Sequence, residues 1–577
     1  MVDFDLIIRD GTVIDGSGSQ PRRADVAVLG DRIADVGVVA GRGRREVDAA
    51  GALVAPGFVD LHTHYDGQAT WDGFLQPSSW HGVTTVVVGN CGVGFAPVKP
   101  EHRGRVVELM EGVEDIPGVA LTEGLSWEWE SFPAFLTALE ARPHDMDIGT
   151  QVPHAPLRVY AMGDRAMAHE QATRGEIETM AGLAREAVQA GALGFTTSRT
   201  LAHRSISGEL IPSYDVDADE LTAIAVAVGS TGTGVLQLVT DFTDPDDDFE
   251  LMRRMVRESG RPLSVSVSQV QERPQTYRRV LDLLEQARGD GLAITGQVAT
   301  RGIGMLLGLQ CTLHPFMSNP AWQRLAHLPY AEQARLMARP ETKAAILAAQ
   351  DSQAPSNRLG GSSIYLYDMM YELTDPPDYE PEPGMSLGAR AARAGQSPEE
   401  LAYDVIRADA GRGMIYLPIA NYTYGSLDAV REMLVHPYTV PGLSDGGAHV
   451  GTVCDASFPT MLLQYWARDR RRDRLDLPFV IKKQSRDTAS AVGLLDRGLL
   501  APGYKADLNV IDLDRIRLHW PEMSFDLPAG GGRLLQRADG YRHTFVSGVE
   551  TYRDGQPTGQ LPGAVVRGAR AAPAATA

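Results

Sequence analysis

Hydrophobic and polar positions follow two different patterns along the chain. In the first fifty residues, short apolar and β-branched runs, such as 5–9 and 24–28, are separated by turns that contain glycine and aspartate. Such runs are typical of strands joined by tight turns. No helical period runs through this stretch. The sequence therefore predicts that residues 1–56 form the N-terminal part of a β domain.

From residue 57 onward, apolar runs alternate with amphipathic helical segments. Eight candidate strands lie at 58–61, 83–88, 148–152, 193–197, 235–239, 263–267, 293–298 and 441–444. Strands that alternate with helices are typical of a parallel sheet, and eight such units favour a closed barrel over an open sheet. The pattern predicts an α/β fold, a TIM-type (β/α)8 barrel that occupies residues 57–497.

One helix is marked clearly at both ends. Thr173 and Glu176 have the spacing of a capping box, in which each side chain binds the other residue's backbone. Met180 and Ala184 continue an apolar face, and Gly191 follows at the position where a helix commonly ends. The sequence predicts a helix between Thr173 and Gly191.

The spacing of the strands is uneven toward the end of the chain. More than a hundred residues separate the last two candidate strands, which predicts a large insertion around 300–435. Strand-like composition returns over 498–562, and we expect the two chain ends to pack as one composite β-sandwich beside the barrel. Residues 563–577 are rich in alanine and are predicted to be a disordered tail.

Composition narrows the class of protein. The 577 residues carry a net charge of −20, which disfavours nucleic acid and anionic membranes as partners. Positions 3 and 5 are acidic, no apolar run is long enough to span a bilayer, and there are three cysteines. These features predict a cytoplasmic protein. A homo-oligomer remains open.

The strongest chemical motif is the pair His62 and His64 at the end of the first candidate strand. Alternate strand residues point to the same side, so both imidazoles can face one point above the barrel mouth. Catalytic groups of such barrels lie at the carboxyl ends of the strands. Two convergent histidines are half of a tetrahedral zinc site. We therefore expect these residues to bind metal rather than to be solvated loop histidines.

Two further motifs follow other candidate strands. Asp445 lies after the eighth strand, where a carboxylate can bind a metal, take a proton from the attacking water and pass it to the leaving nitrogen. The alternative is an ordinary Asp-Gly turn. Cys91 follows the second strand and is either a thiolate ligand or a small buried apolar residue.

The segment after the fourth strand supplies candidate substrate-binding residues. His203 lies on the expected catalytic side and is either a binding residue or a solvated loop histidine. Arg199 and Arg204 could hold a substrate carboxylate, although loop arginines commonly face solvent.

Five motifs together resemble the amidohydrolase superfamily, and within it the N-acyl-D-amino-acid deacylases, or D-aminoacylases. They lie at residues 10–15, 55–64, 89–92, 444–446 and 498–508. The resemblance runs nearly end to end. It implies a barrel with a composite β-sandwich, bound zinc, and hydrolysis of the amide bond of N-acylated amino acids. It also implies that His62 and His64 are ligands, Cys91 is a ligand or bridge, and Asp445 is a ligand and the general acid/base.

The sequence departs from this family at strands five and six, which usually each supply a histidine. Residues 237–241 and 266–271 contain none. Gln269 stands near the strand-six position, and Thr240 or Asp241 near the strand-five position. We therefore expect one firmly bound zinc ion, with a second left open. The same departure leaves two alternatives to an N-acyl-D-amino-acid substrate: a cyclic amide, lactone or ester, or an inactive barrel that serves as a binding protein.

Overall fold

The protein is represented by a computed structural model, which describes residues 3–349 and 363–574. Part of the predicted insertion, 350–362, and the end of the predicted tail, 575–577, lie outside the described residues. No described helix is both long enough and apolar enough to cross a membrane.

Eight parallel strands form the barrel, and they are numbered here as barrel strands one to eight in chain order. Their bounds are Phe58–Asp60, Val83–Val88, Asp147–Thr150 with Val152–Pro153, Gly194–Arg199, Val235–Thr240, Leu263–Val267, Ile294–Val298 and Thr439–Pro441. Strand eight ends earlier than predicted because the following residues, with Leu443 at φ 58° and Asp445 at φ 49°, leave the extended conformation. The predicted (β/α)8 fold is confirmed.

Helices connect the barrel strands and cover their outer face. Their bounds are Gln68–Trp71, Arg103–Glu114, Gly118–Gly124, Phe132–Glu140, His154–Met162, Asp164–Met167, Arg174–Ala190, Ala218–Gly229, Pro245–Ser259, Thr276–Gly289, Asp428–Val435, Phe458–Met461, Leu477–Lys482 and Thr488–Ala491. The helix Arg174–Ala190 has the predicted capping box and ends at Gly191. Apolar strand residues such as Leu236 and Leu238 pack outward against these helices.

The ends of the chain meet in one nine-stranded sheet. Its strands are Phe4–Val13, Arg22–Leu29, Arg32–Gly37, Gly43–Asp48, Leu53–Pro56, Leu508–Ile511, Tyr541–Val546, Val549–Arg553 and Gln556–Pro557. Leu53–Pro56 runs antiparallel to Leu508–Ile511, which joins the two halves. A β domain built from both ends is therefore confirmed, whereas the exact boundaries 1–56, 57–497 and 498–562 stay a prediction.

The insertion between barrel strands seven and eight has its own small core. It contains the strands Ile303–Leu307, Tyr371–Glu372 and Ile415–Ala420 and the helices Pro320–Gln323, Tyr330–Met337, Pro340–Ala348, Leu387–Ala394 and Pro398–Gly411. These strands form one antiparallel sheet.

The predicted disordered tail is wrong for its described part. Val565 and Val566 form a short strand that pairs with Ile148 and Gly149 of barrel strand three. Both valines are buried. Burial of these two apolar side chains holds the start of the alanine-rich segment against the barrel.

Candidate metal centre

His62, His64 and Cys91 converge at the carboxyl end of barrel strands one and two. One ligand atom from each lies within 4.8 Å of the others, and all three residues are buried. Cys91 occupies a turn, Asn90–Gly92, and itself has a φ of 56°. Gly89 precedes it at φ 82°, a conformation that a residue with a side chain rarely adopts. These two left-handed residues turn the chain back over the barrel mouth.

His62 has a defined orientation. Its Nδ1 donates a hydrogen bond of 2.7 Å to Oε1 of Gln297 on barrel strand seven. Its Nε2 lies 3.3 Å from Sγ of Cys91 and 3.4 Å from Oδ1 of Asp445. Because Nδ1 carries the donated proton, the lone pair of a neutral His62 is on Nε2 and faces the cysteine and aspartate.

His64 is flanked by two carboxylates. Its Nδ1 lies 3.3 Å from Oε1 of Glu114, and its Nε2 lies 3.7 Å from Oδ1 of Asp445. Glu114 is the last residue of its helix and is buried, and its other oxygen lies 3.6 Å from Nε2 of His449. Burial raises the pKa of Glu114 to about 8, with His64 acting in the opposite direction. A carboxylate on the far ring nitrogen is a common way to orient a metal-binding histidine.

Asp445 follows barrel strand eight and lies beside the end of barrel strand one, next to both histidines. Its backbone N–H donates to the carbonyl oxygen of His62 at 3.2 Å, and the N–H of His64 donates to Gly446 at 2.7 Å. Burial alone would raise the pKa of Asp445, but hydrogen bonding by His64 and the charge of His62 outweigh it. The pKa is therefore held well below its usual range, so the side chain is an anion at neutral pH.

The other predicted binding residues are placed unequally. Nδ1 of His203 is 2.9 Å from the hydroxyl of Ser198, which faces the barrel interior. Burial, followed by the charge of His449, lowers the pKa of His203 to about 3, so its ring is neutral near the site. This residue remains a candidate for substrate binding.

The two arginines do not join the cluster. Arg199 donates to the carbonyl oxygen of Val216 at 3.1 Å, and Arg204 donates to that of Gly208 at 2.9 Å. Arg199 follows Ser198 on the strand and therefore points to the opposite, outer face. Each arginine thus has a backbone partner in its own segment, and the expectation that the pair binds a substrate carboxylate stays a prediction.

The polar residues expected near the missing histidine positions point elsewhere. Oε1 of Gln269 accepts a hydrogen bond from the backbone of Thr423 in the insertion, at 3.2 Å. Thr240 donates to Asp248 at 3.1 Å. Asp241 accepts a hydrogen bond of 2.9 Å from the backbone of Leu201. All three therefore fix loops rather than supply donors to the cluster.

Gln297, Glu114 and His449 are site residues that the sequence analysis did not select. Gln297 could have been found from strand alternation, because it is a polar residue at an inward position of a predicted strand. Glu114 carries no such signal, since it is one acidic residue among several in a helix. His449 lies close to Asp445 in sequence, but nothing in the spacing shows that it meets Glu114.

The donor set fits a zinc ion. Two imidazoles, a thiol and a carboxylate are the ligand types that zinc prefers. Zinc–ligand bonds of about 2.0–2.3 Å in a tetrahedral site place neighbouring donor atoms roughly 3.3–3.8 Å apart. The separations between Nε2 of His62 and its two neighbours, Cys91 at 3.3 Å and Asp445 at 3.4 Å, match this range.

Comparison with known proteins gives a consistent family. The amidohydrolase family model matches residues 45–362 and 382–558. D-aminoacylase of Alcaligenes xylosoxydans xylosoxydans is 28% identical over 574 residues, which cover 98% of this chain and 97% of that protein. The chain belongs to the amidohydrolase family.

Two solved structures are also similar over nearly the whole chain. One is a structure of D-aminoacylase that concerns the functional role of its binuclear metal centre, in which one metal activates the enzyme and a second attenuates it. It has a TM-score of 0.65 and 25% identity and covers 98% of this chain and 100% of that one. The other is N-acyl-D-glutamate deacylase from Bordetella bronchiseptica with zinc and a phosphonate inhibitor, with a TM-score of 0.64, 25% identity and the same coverage. Family and fold define a hydrolase of carbon–nitrogen bonds other than peptide bonds.

Proposed function

We propose that the protein is a zinc-dependent deacylase of N-acyl-D-amino acids that works with one firmly bound ion. The observation that carries this proposal is the convergence of His62, His64 and Cys91, with Asp445 at 3.4 Å from His62. These four residues would hold the ion. The departure at strands five and six supports a single ion, because both usual histidines are absent there.

A bound zinc ion would polarise the acyl carbonyl and make water a better nucleophile near neutral pH. The chain's own groups must then orient the substrate and move the proton. Gln297 orients the ring of His62 by a hydrogen bond to Nδ1, and Oε1 of Glu114 lies 3.3 Å from Nδ1 of His64, on the side of that ring away from Asp445. These contacts keep the imidazole rings in the orientation that metal binding requires.

Asp445 is the proposed general base and acid. It is ionised at neutral pH because its pKa is held well below the usual range. Its side chain is 20% exposed, whereas those of His62 and His64 are almost fully buried, so it can meet both water and substrate. It would accept a proton from the attacking water and deliver it to the leaving nitrogen as the C–N bond breaks.

The substrate class rests on the relatives, several of which act on N-acyl-D-amino acids by name. Neither Arg199 nor Arg204 makes a recorded contact with the cluster in the described part of the chain, which leaves the carboxylate-binding group unassigned. A cyclic amide or lactone is the second candidate, and the altered strands five and six favour it.

The test is hydrolysis by protein that has been stripped of metal and reloaded with zinc. The substrates are N-acetyl-D- and N-acetyl-L-amino acids, a hydantoin and a lactone, with the zinc content measured in parallel. We expect about one zinc per chain and turnover of N-acetyl-D-amino acids. If only the hydantoin or the lactone is hydrolysed, the proposed substrate class is wrong and a cyclic amide or lactone takes its place. Absence of both metal and turnover would indicate an inactive barrel.

A further inference from the structure

The inner face of barrel strands four to seven is lined by side chains with hydroxyl or amide groups. Residues paired in register on parallel strands point to the same side of the sheet. Gln237 pairs with Thr196 on one side and with Ser264 on the other, and Gln297 pairs with Ser266. Gln297 contacts His62, which fixes this set of side chains as facing inward.

A hydrogen-bonded chain runs through this inner layer from the metal cluster. Nδ1 of His62 donates to Gln297, and Nε2 of Gln297 donates to the hydroxyl of Ser264 at 2.8 Å. The next residue in register is Gln237, which is only 1% exposed. Neither Oε1 nor Nε2 of Gln237 has a hydrogen-bond partner among residues 3–349 and 363–574, and the same is true of the hydroxyl of Ser266.

Gln237 lies at the level of the Cys91 turn. Thr196, its neighbour in register, accepts a hydrogen bond of 3.2 Å from the backbone of Gly92 and donates to the carbonyl oxygen of Gly89. Barrel strand five also lies next to the turn Asn90–Gly92. The unpartnered amide is therefore beside the candidate metal centre.

Gln269 shows that this is not simply how buried glutamines behave here. It is equally buried, yet its Oε1 accepts from Thr423 at 3.2 Å and its Nε2 donates to Pro274 at 3.4 Å. A buried amide without partners lowers stability, so a leucine would be the more stable residue at position 237. A group that reduces stability beside a reaction centre commonly has a ligand to bind.

We propose that Gln237 is a substrate-binding residue whose amide pairs with the amide group of the substrate. This inference rests on the proposed function. A carboxamide has both an N–H donor and an oxygen acceptor, so it can donate to the acyl oxygen or accept from the N–H of the substrate amide. His62, His64, Cys91 and Asp445 already supply four donors for zinc, and a neutral amide is a poorer donor than any of them. Substrate is therefore the better partner for Gln237.

The test compares Gln237→Leu with Gln269→Leu, both placed in an Asp445→Asn background that slows turnover. Zinc affinity is measured by competition with a chelator. Binding of a panel of N-acetyl-D-amino acids to the zinc-loaded proteins is measured by calorimetry, and melting temperatures are measured without ligand. Gln237→Met serves as a second variant if the leucine variant does not fold.

We expect Gln237→Leu to weaken binding of the best N-acetyl-D-amino acid at least tenfold, to change zinc affinity by less than about threefold, and to melt at the same or a higher temperature. Gln269→Leu should melt lower, because it leaves its backbone partners unpaired. A tenfold loss of zinc affinity in Gln237→Leu would make the amide a metal ligand and overturn the inference. Unchanged substrate binding would also overturn it. If the zinc-loaded wild-type protein hydrolyses no member of the panel, the proposed function fails and the inference fails with it.

Discussion

Oε1 of Gln297 lies 2.7 Å from Nδ1 of His62, although 235 residues separate them in the chain. This single contact fixes which ring nitrogen of His62 carries its proton. It therefore leaves Nε2, which faces Cys91 and Asp445, as the nitrogen able to bind metal.

Gln297→Leu should weaken zinc binding about 10- to 100-fold, the range found when the partner of a metal-binding histidine is removed. The leucine cannot hold the ring, so His62 loses its preferred tautomer and orientation. The measurement is the zinc dissociation constant by chelator competition. Gln297→Glu, which keeps an acceptor at this position, should retain more affinity than the leucine variant. Equal affinity for all three proteins would show that the contact does not orient the ligand.

Replacing both His62 and His64 by alanine should remove the metal and at least most of the activity. The two imidazoles are the nitrogen donors of the cluster, and Cys91 with Asp445 alone cannot complete a zinc site. Elemental analysis of the purified double variant measures the metal directly. The matched control is His436→Ala, a histidine that contacts Glu285 away from the cluster. Full metal occupancy in the double variant would show that the ligands lie elsewhere.

Asp445→Asn should lower kcat about a hundredfold or more while the protein stays folded, which is the scale of a lost general acid/base. Asparagine keeps the size of the side chain but cannot carry the proton. Steady-state kinetics of the zinc-loaded variant, with a circular-dichroism melt as the folding control, decide the point. Turnover near the wild-type rate would assign the proton transfer to another residue.

Cys91→Ala should weaken zinc binding at least tenfold if the thiolate is a ligand. Without metal, burial raises the pKa of the Cys91 thiol to about 12, so zinc binding must displace a proton. Proton release on zinc addition, measured in two buffers of different ionisation enthalpy, should therefore fall in the variant. Cys311→Ala, a buried cysteine that packs in the main core, is the control. Similar zinc affinity in the two variants would make Cys91 a packing residue.

Glu550 provides a prediction about pH and stability. It binds Arg45, His543 and Arg553 at 2.6 Å each. Burial alone would raise its pKa, but these partners lower it to about 2. Because the pKa is lower in the folded state, the stabilisation is present at neutral pH and is lost as pH falls from about 4.5 toward 2.

Glu550→Gln should therefore lower the free energy of unfolding by about 1–3 kcal/mol at pH 7 and equally at pH 5, and by less at pH 4 and at pH 3.5. Urea denaturation of both proteins at pH 7, 5, 4 and 3.5 measures the difference. A gap that widens as the pH falls would contradict the assignment.

The sequence predicted most of the barrel, because its strands are short apolar runs separated by marked helices. Thr173 and Glu176 even identified a helix start to the residue. His62, His64 and Cys91 could be selected as candidates because each follows a predicted strand, and parallel strands end on one face of a barrel. Local sequence patterns are therefore sufficient to predict a site residue when its position is determined by the strand that it follows.

What the sequence could not predict are the contacts that depend on side-chain direction across distant segments. The interaction between Glu114 and His64 requires a helix end to reach the barrel mouth, which no periodicity encodes. The direction of the Arg199 side chain was not predicted either, because the strand continues to this residue, two positions beyond its expected end. Val565 and Val566 were missed because two apolar residues are too short a signal for a strand.

The antiparallel pairing of Leu53–Pro56 with Leu508–Ile511 has a consequence for how the protein is made. Val54 pairs with Val510, which is synthesised about 450 residues later. At translation rates of about 5–20 residues per second, roughly 20 to 90 s pass between the synthesis of the two residues. During that interval one edge of Leu53–Pro56, immediately ahead of the first barrel strand, lacks its partner. An unpaired strand edge can pair with another chain and cause aggregation. We therefore expect the yield of soluble protein to rise when expression is slow and cool or when chaperones are present.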